Sequence, residues 1–392
     1  MHSGKAHLLV SPIVNFMNSL NQQQPVQPGT PSVTWYCHGV DFRLTALVAC
    51  LFAGIFSYGC RGREANLFEP VEGTRYSIIA VGDTGRTHRF AQLLGGQIAV
   101  SEAMMAEAKE SPVDALIFLG DNFYWNGLDR ETLVSRVREN LVAPYCYFLR
   151  LDGPRSNEVG EACRIPERER APVPIFAVLG NHDLLSPESA ELEREAVPLF
   201  VPDWQMSSGL TQVFELGDGI SLILFESEVA IADASRVRRS IKKAIHESQG
   251  PWRILAAHRP ISTNDHGEKK LGGYPGYVRK AIESSGLPVQ LILAGHHHSL
   301  QVFETTEPLP ALHIGVGSGS KASGPLAKDH PDVRFSRMRL GFARIDLIGN
   351  GEEERLSVTL TETNEYPILS LLDPPQRVAR FEVDRQGRVF AP

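Results

Sequence analysis

DALIFLGDN, residues 114–122, decides the fold. Its apolar run from Ala115 to Leu119 is too short for a helix and reads as a buried strand. The run stops at Gly120-Asp121, a turn residue followed by a carboxylate. The same signature recurs along the chain. YSIIAVGD (76–83) ends in Gly-Asp, PIFAVLGNHD (174–183) in Gly-Asn-His-Asp, WRILAAH (252–258) in His, and VQLILAGHHH (289–298) in three histidines. SLILFES (221–227) is a further strand. Between these runs, HRFAQLLGGQIAVSEAMMAEAKE (88–110) has helical spacing that Gly95 and Gly96 bend or break. Residues 131–140, 234–248 and 275–285 also read as helices. Strand, polar tip, helix, strand is the alternation of layered α/β folds. In such sheets, sites form beyond the strand ends. Five tips carry a ligand-type residue: Asp83, Asp121, Asn181, His258 and His296.

Beyond residue 300 the pattern turns to β structure at 311–320, 340–348 and 355–363. FEVDRQGRVF, within the tail 366–392, reads as a hairpin around Gln386-Gly387. The 392 residues carry a formal charge of -7 and no lysine- or arginine-rich block, so nucleic acid is not an expected partner. None of the five cysteines forms a CxxC, which argues against a thiolate zinc site. Cys146 and Cys163 flank one insert; they either pair in an oxidising compartment or stay as two free thiols.

Residues 1–40 are polar and Pro/Gln-rich and read as disordered. DFRLTALVACLFAGIFSYGC (41–60) resembles the apolar region of a secretory signal, and its Leu44–Phe56 run is too short to span a bilayer. Cys60 after Gly59 is similar to a bacterial lipoprotein processing site, although Ser57 and Tyr58 depart from that pattern. A start near Val40 would put this signal at the N-terminus. The alternatives are an uncleaved anchor or a buried helix. The expectation is export to the periplasm or cell surface, with a lipid at Cys60 as one form of tether. Residues 61–73 read as a linker, 74–365 as the catalytic domain and 366–392 as a tail.

The candidate constellation is Asp83 in GDTG, Asp121 and Tyr124 in GDNFY, Asn181 and His182 in GNHD, His258 in AAHRP, and His296 and His298 in GHHH. Taken singly, each has a bland reading: Asp83 a helix cap, Tyr124 a packed aromatic, Asn181 a turn former, His258 a surface histidine, His296–His298 a surface run. Together they form a hard, mixed oxygen/nitrogen donor set suited to iron, manganese or zinc. Two metals about 3.5–4 Å apart need a bridging carboxylate, and Asp121 is central in the motif order.

In this order the motifs resemble the calcineurin-like metallophosphoesterases, and within them the purple acid phosphatases of the small, tartrate-resistant type. The resemblance covers residues 74–365. It implies four layers, α-β-β-α, with two mixed β-sheets flanked by helices. It also implies two metal sites: Asp83, Asp121, Tyr124 and His298 around Fe(III), and Asp121, Asn181, His258 and His296 around Fe(II), Zn or Mn. The wider superfamily has Asp-x-His in its first motif, where this chain has Gly85; the phenolate of Tyr124 replaces the lost ligand and favours Fe(III). Thr84, Arg259 and His297 depart from the usual Trp, Tyr and Asp, with Thr84 expected to alter the pocket rim. Arg259 and His297, with Asn181 and His182, are candidate substrate-binding residues, and His88 and His266 are candidates for the mouth.

The implied reaction is hydrolysis of phosphate monoesters, small or protein-borne. A hydroxide held by the metals attacks phosphorus, and His182 assists the leaving group, oriented by Asp183 unless that residue caps a helix. The alternatives are a phosphodiesterase or nucleotide pyrophosphatase on the same core, and a non-catalytic iron-binding surface lipoprotein.

Overall fold

The structure, a computed structural model, describes residues 69–86, 95–230, 233–262, 273–305, 311–324, 326, 330–367 and 372–390. The expectations for the signal-like segment, Cys60, His88 and His266 fall outside these residues. Among the described residues no helix is long and apolar enough to cross a membrane.

Fifteen described strands form two mixed sheets. The first runs, in spatial order, β15 (Val389–Phe390), β14 (Gln376–Val383), β13 (Arg355–Thr363), β12 (Leu340–Ile348), β1 (Thr74–Val81), β2 (Ala115–Phe118), β3 (Ile175–Ala177), β4 (Trp204–Met206). The second runs β11 (Val333–Arg337), β9 (Leu300–Thr305), β10 (Ala311–Val316), β8 (Leu291–Ala294), β7 (Trp252–Ala257), β6 (Ile220–Phe225), β5 (Thr211–Glu215). In each sheet a parallel block carries the strand tips: β1 to β4 in one, β6, β7, β8 and β10 in the other. Antiparallel strands extend both.

The continuous apolar runs follow from burial on both faces. Between the sheets lie Ile78, Ala80, Ile117, Leu222, Ile254, Leu293 and their neighbours, fully buried. On the outer face of the first sheet, Ile79, Val81, Leu116 and Phe118 meet helix α1 (Gly96–Glu110) through Val100 and Met104. Ile223, Phe225 and Leu255 meet α2 (Ala234–Glu247) and α3 (Tyr274–Ser285) on the outer face of the second. This is the four-layer α-β-β-α sandwich. Asp233 caps α2 by accepting the Ser235 and Arg236 N–H groups, each at 3.0 Å. Gly286, at φ 67°, ends α3 in the left-handed region.

Two regions differ in extent from the sequence reading. The helix read at 131–140 begins at Leu133 and continues through a wider turn to Tyr145, whose ring packs edge-on against Phe118 at 5.0 Å. The hairpin at the C-terminus is the edge of the first sheet, β14 pairing with β13 along its length. Cys146 and Cys163 form a disulfide with their Cα atoms 5.2 Å apart, closing the insert onto the helical layer.

Candidate metal centre

The parallel blocks of both sheets end at one edge, and nearly every tip residue is delivered there by a glycine turn. Asp83 follows Gly82 after β1, Asp121 follows Gly120 after β2, and Asn181 and His182 follow Gly180 after β3. His296 follows Gly295 after β8, whereas His258 follows β7 directly. Asp83, Asp121 and His296 have φ of 56°, 53° and 66°. Left-handed backbone costs a non-glycine residue on the order of 1 kcal/mol or more, and such strain collects at functional sites. Two glycines are sterically required. A Cβ on Gly180 would stand 2.2 Å from the Asp121 carboxylate, and one on Gly85 would stand 2.4 Å from the Asn122 carbonyl oxygen.

The side chains converge. Oxygen or nitrogen atoms from Asp83, Asp121 and His258 all lie within 4.8 Å of one another, and all three residues are buried. The Tyr124 hydroxyl donates to Asp83 Oδ1 at 3.0 Å and lies 2.9 Å from His298 Nε2. His298 Nε2 is 3.1 Å from the same Asp83 oxygen. His258 Nε2 lies 3.2 Å from Asn181 Oδ1, 3.2 Å from His296 Nδ1 and 3.6 Å from Asp121 Oδ1. Asp83 thus centres one group, with Tyr124 and His298, and His258 centres another, with Asn181 and His296. Asp121 touches both: it lies within reach of the Tyr124 hydroxyl and beside His258.

Electrostatics here are set by burial and mutual charge. Burial raises the Asp121 carboxyl; His258 opposes this and Asp83 adds to it. Burial also works against charge on Asp83, but the hydrogen bond from His298 and the charges of His258 and His298 outweigh it and leave the carboxyl low. Burial disfavours the His258 cation, yet Asp121 and Asp83 hold its pKa above the ordinary value. Burial pulls His296 down to about 2 and His297 to about 4, so both rings are neutral. Burial, then Asp83 and Asp121, push the Tyr124 phenol far up.

These residues fit metal ions. His258 Nδ1 donates to the Leu119 carbonyl at 2.8 Å, so it is Nε2 that faces the cluster and would offer its lone pair to a metal in place of a proton. His298 Nδ1 lies 3.1 Å from Ser323 Oγ, which holds the ring with Nε2 facing Tyr124 and Asp83. A neutral imidazole is the form a metal takes. Two buried carboxylates beside a buried phenol form a site whose negative charge a cation offsets.

A model of one family, calcineurin-like phosphoesterase, matches residues 76–300. The chain belongs to that family. Among curated proteins none matches. Among solved structures, GAP50, described as the anchor in the inner membrane complex of Plasmodium, is similar at 17% identity and TM-score 0.52, over 74% of this chain and 85% of that one. A purple acid phosphatase, PPD1 from yellow lupin seeds, is similar at 13% identity and TM-score 0.54, over 79% of this chain and 53% of that one. PhoD is similar at 13% identity and TM-score 0.51, over 82% of this chain and 72% of that one. At these identities the likeness is one of fold.

Within this calcineurin-like phosphoesterase, Gly85 decides where Tyr124 stands. With no side chain at 85, its loop packs onto the backbone of Asn122 and Phe123, and the Tyr124 N–H donates to the Gly85 carbonyl at 3.2 Å. The close approach carries Tyr124 into the cluster. Thr84 is 2% exposed and so forms no part of the rim.

Asp183 is placed otherwise than expected. Its carboxylate accepts the N–H groups of Gly180, Asn122 and Phe123 at 2.8, 3.1 and 2.9 Å, tying the GNHD loop to the GDNFY loop. No helix begins there. His182 is oriented instead by the Trp125 carbonyl, 2.7 Å from its Nδ1, while its own N–H donates to Asp121 Oδ1 at 2.8 Å. Arg259 lies at the cluster, but Glu228 grips its Nε and Nη2 at 2.6 and 3.0 Å. Only Nη1 turns inward, 3.3 Å from His296 Nε2. The His297 ring is 5.5 Å from that of His296. The orienting groups on Leu119, Ser323, Trp125 and Glu228 carry no sequence signal, because three act through backbone or remote loop contacts and Glu228 resembles any helix-start acid.

Proposed function

We propose that this chain is a metal-dependent phosphomonoesterase with a dinuclear centre of the purple acid phosphatase kind. The convergence of Asp83, Tyr124 and His298 on one side of Asp121, and of Asn181, His258 and His296 on the other, carries the reading. Tyr124 favours Fe(III) in the first group; Fe(II), Zn or Mn suits the second. When bound, the two cations supply Lewis-acid charge for the phosphoryl oxygens and acidify the attacking water. Asp121 links the two groups. Asn181 and His182 project together from one loop, so His182 reaches the ester from the side where Asn181 joins the cluster. The Trp125 carbonyl accepts the Nδ1 proton, so in the doubly protonated ring the second proton sits on Nε2, available to the departing oxygen. Asp183 is a positioning residue that locks the two loops in register.

Export is part of the proposal. It rests on the signal-like segment 41–60 and is supported by the Cys146–Cys163 disulfide, since such bonds persist in oxidising compartments. A panel of mono- and diesters, assayed from acid to neutral pH with metal-replete protein, tests the reading. Monoester turnover above diester turnover is expected. Diester preference would shift the assignment to a phosphodiesterase, and no turnover with metals bound would leave a binding protein.

A further inference from the structure

Trp125 is 56% exposed, a large aromatic surface left in water beside the reacting groups. Its ring lies 5.8 Å from the His182 ring and 5.4 Å from the Tyr124 ring, edge-on to both. Arg86 holds its guanidinium carbon 5.1 Å from the indole centroid. Arg86, Tyr124 and Trp125 border a cavity of about 380 Å³ lined also by Asp129, Thr132 and Arg136, a size within the range of about 300–1,000 Å³ of small-molecule sites. A packed aromatic needs no such opening, and solvent exposure of an indole is costly unless something covers it.

We propose that Trp125 and Arg86 form a shelf for a planar ring carried by the leaving alcohol of the phosphate ester. This rests on the phosphomonoesterase reading of His182. In that hydrolysis water adds to phosphorus, the ester P–O bond breaks, and the His182 proton goes to the departing oxygen. The departing oxygen therefore lies against His182. The carbon skeleton attached to it extends over the neighbouring indole, because the two rings adjoin. A flat guanidinium and a flat indole take a flat partner in an offset stack, with centroids about 4.5–7 Å apart. Two arginines against one aspartate favour an electron-rich or anionic ring over a cationic one. A nucleobase and a simple phenyl ring share this chemistry.

Matched ester pairs with like alkoxides isolate the ring. Adenosine 5′-monophosphate against ribose 5-phosphate tests a base, and 2-phenylethyl phosphate against ethyl phosphate tests a phenyl ring. The ring-bearing member of at least one pair should have a kcat/KM at least about fivefold higher, the low end of base-on-aromatic stacking. Trp125→Ala should bring that ratio toward one, and Trp125→Phe should restore most of it. The backbone carbonyl that holds His182 survives both changes. Preference in the first pair alone assigns a base; preference in both assigns any aromatic ring.

Binding of adenosine and of 2-phenylethanol, followed by saturation-transfer NMR on the same proteins, separates the shelf from the catalytic reading. Trp125-dependent binding of either without turnover of any ester would retain the shelf and remove the phosphatase. Ratios near one in the wild type, with no Trp125-dependent binding of either compound, would overturn the shelf even in an active enzyme.

Discussion

Glu226→Gln should flatten the pH dependence of stability in metal-stripped protein. Glu226 follows β6, and its side chain is fully buried. Its Oε2 accepts the Leu179 N–H at 3.1 Å, at the base of the loop bearing Asn181 and His182. Its Oε1 has no hydrogen-bond partner and stands 3.6 Å from the Arg194 guanidinium. Burial lifts the carboxyl from 4.5 to about 7, against the pull of Arg194. Because the folded-state pKa is the higher one, the stability it confers is full below about pH 4.5 and is lost as pH rises through about 7. Between pH 5 and pH 8 the loss from this group alone is about 2.5 kcal/mol. The introduced amide keeps an oxygen for the Leu179 N–H and does not ionise. Urea unfolding at the two pH values measures the effect. The wild type should lose about 2.5 kcal/mol more than the variant over this interval. Parallel losses in the two proteins would refute the reasoning.

Two further outcomes follow from the geometry. His182→Ala should lower monoester turnover about 10²–10⁴-fold while metal content stays unchanged, as kinetics paired with elemental analysis will show. Arg344 is fully buried, paired with Asp346 at 2.9 Å, and also donates to the Ser111 carbonyl at 2.7 Å. Arg344→Met leaves Asp346 as an uncompensated buried charge and should cost about 3–5 kcal/mol in denaturant unfolding, with a loss below about 1 kcal/mol contradicting this.

The convergence of the candidate residues was legible because most of them directly follow an apolar strand, so one-dimensional order preserves three-dimensional proximity. The parallel strands were legible for a related reason: burial on both faces makes β6, β7 and β8 nearly unbroken apolar runs. Four strands escaped reading. β4 has three residues, and β5 and β11 are half-exposed strands of mixed pattern. β9, LQVFET, is buried on both faces for four residues but carries Gln301 and Glu304 within its run. The role of Asp183 was misread because neighbours in sequence, His182 and Asp183, point to different partners across a turn. Nothing in the sequence marks the Trp125 carbonyl or Ser323 Oγ as the groups that hold His182 and His298, since both contacts arise only when loops from separate strands meet.

Strand tips from two sheets enclose a pair of cations with Asp121 between them: that is the central claim. Elemental analysis and the visible spectrum of purified protein, compared with Asp121→Asn and Tyr124→Phe, test it most directly. The wild type should hold about two metal ions per chain, at least one of them iron, and show a purple or pink tyrosinate-to-iron band. Asp121→Asn should lose metal, and Tyr124→Phe should lose the band. A wild type that retains at most one ion, or a band unchanged in Tyr124→Phe, would contradict the account.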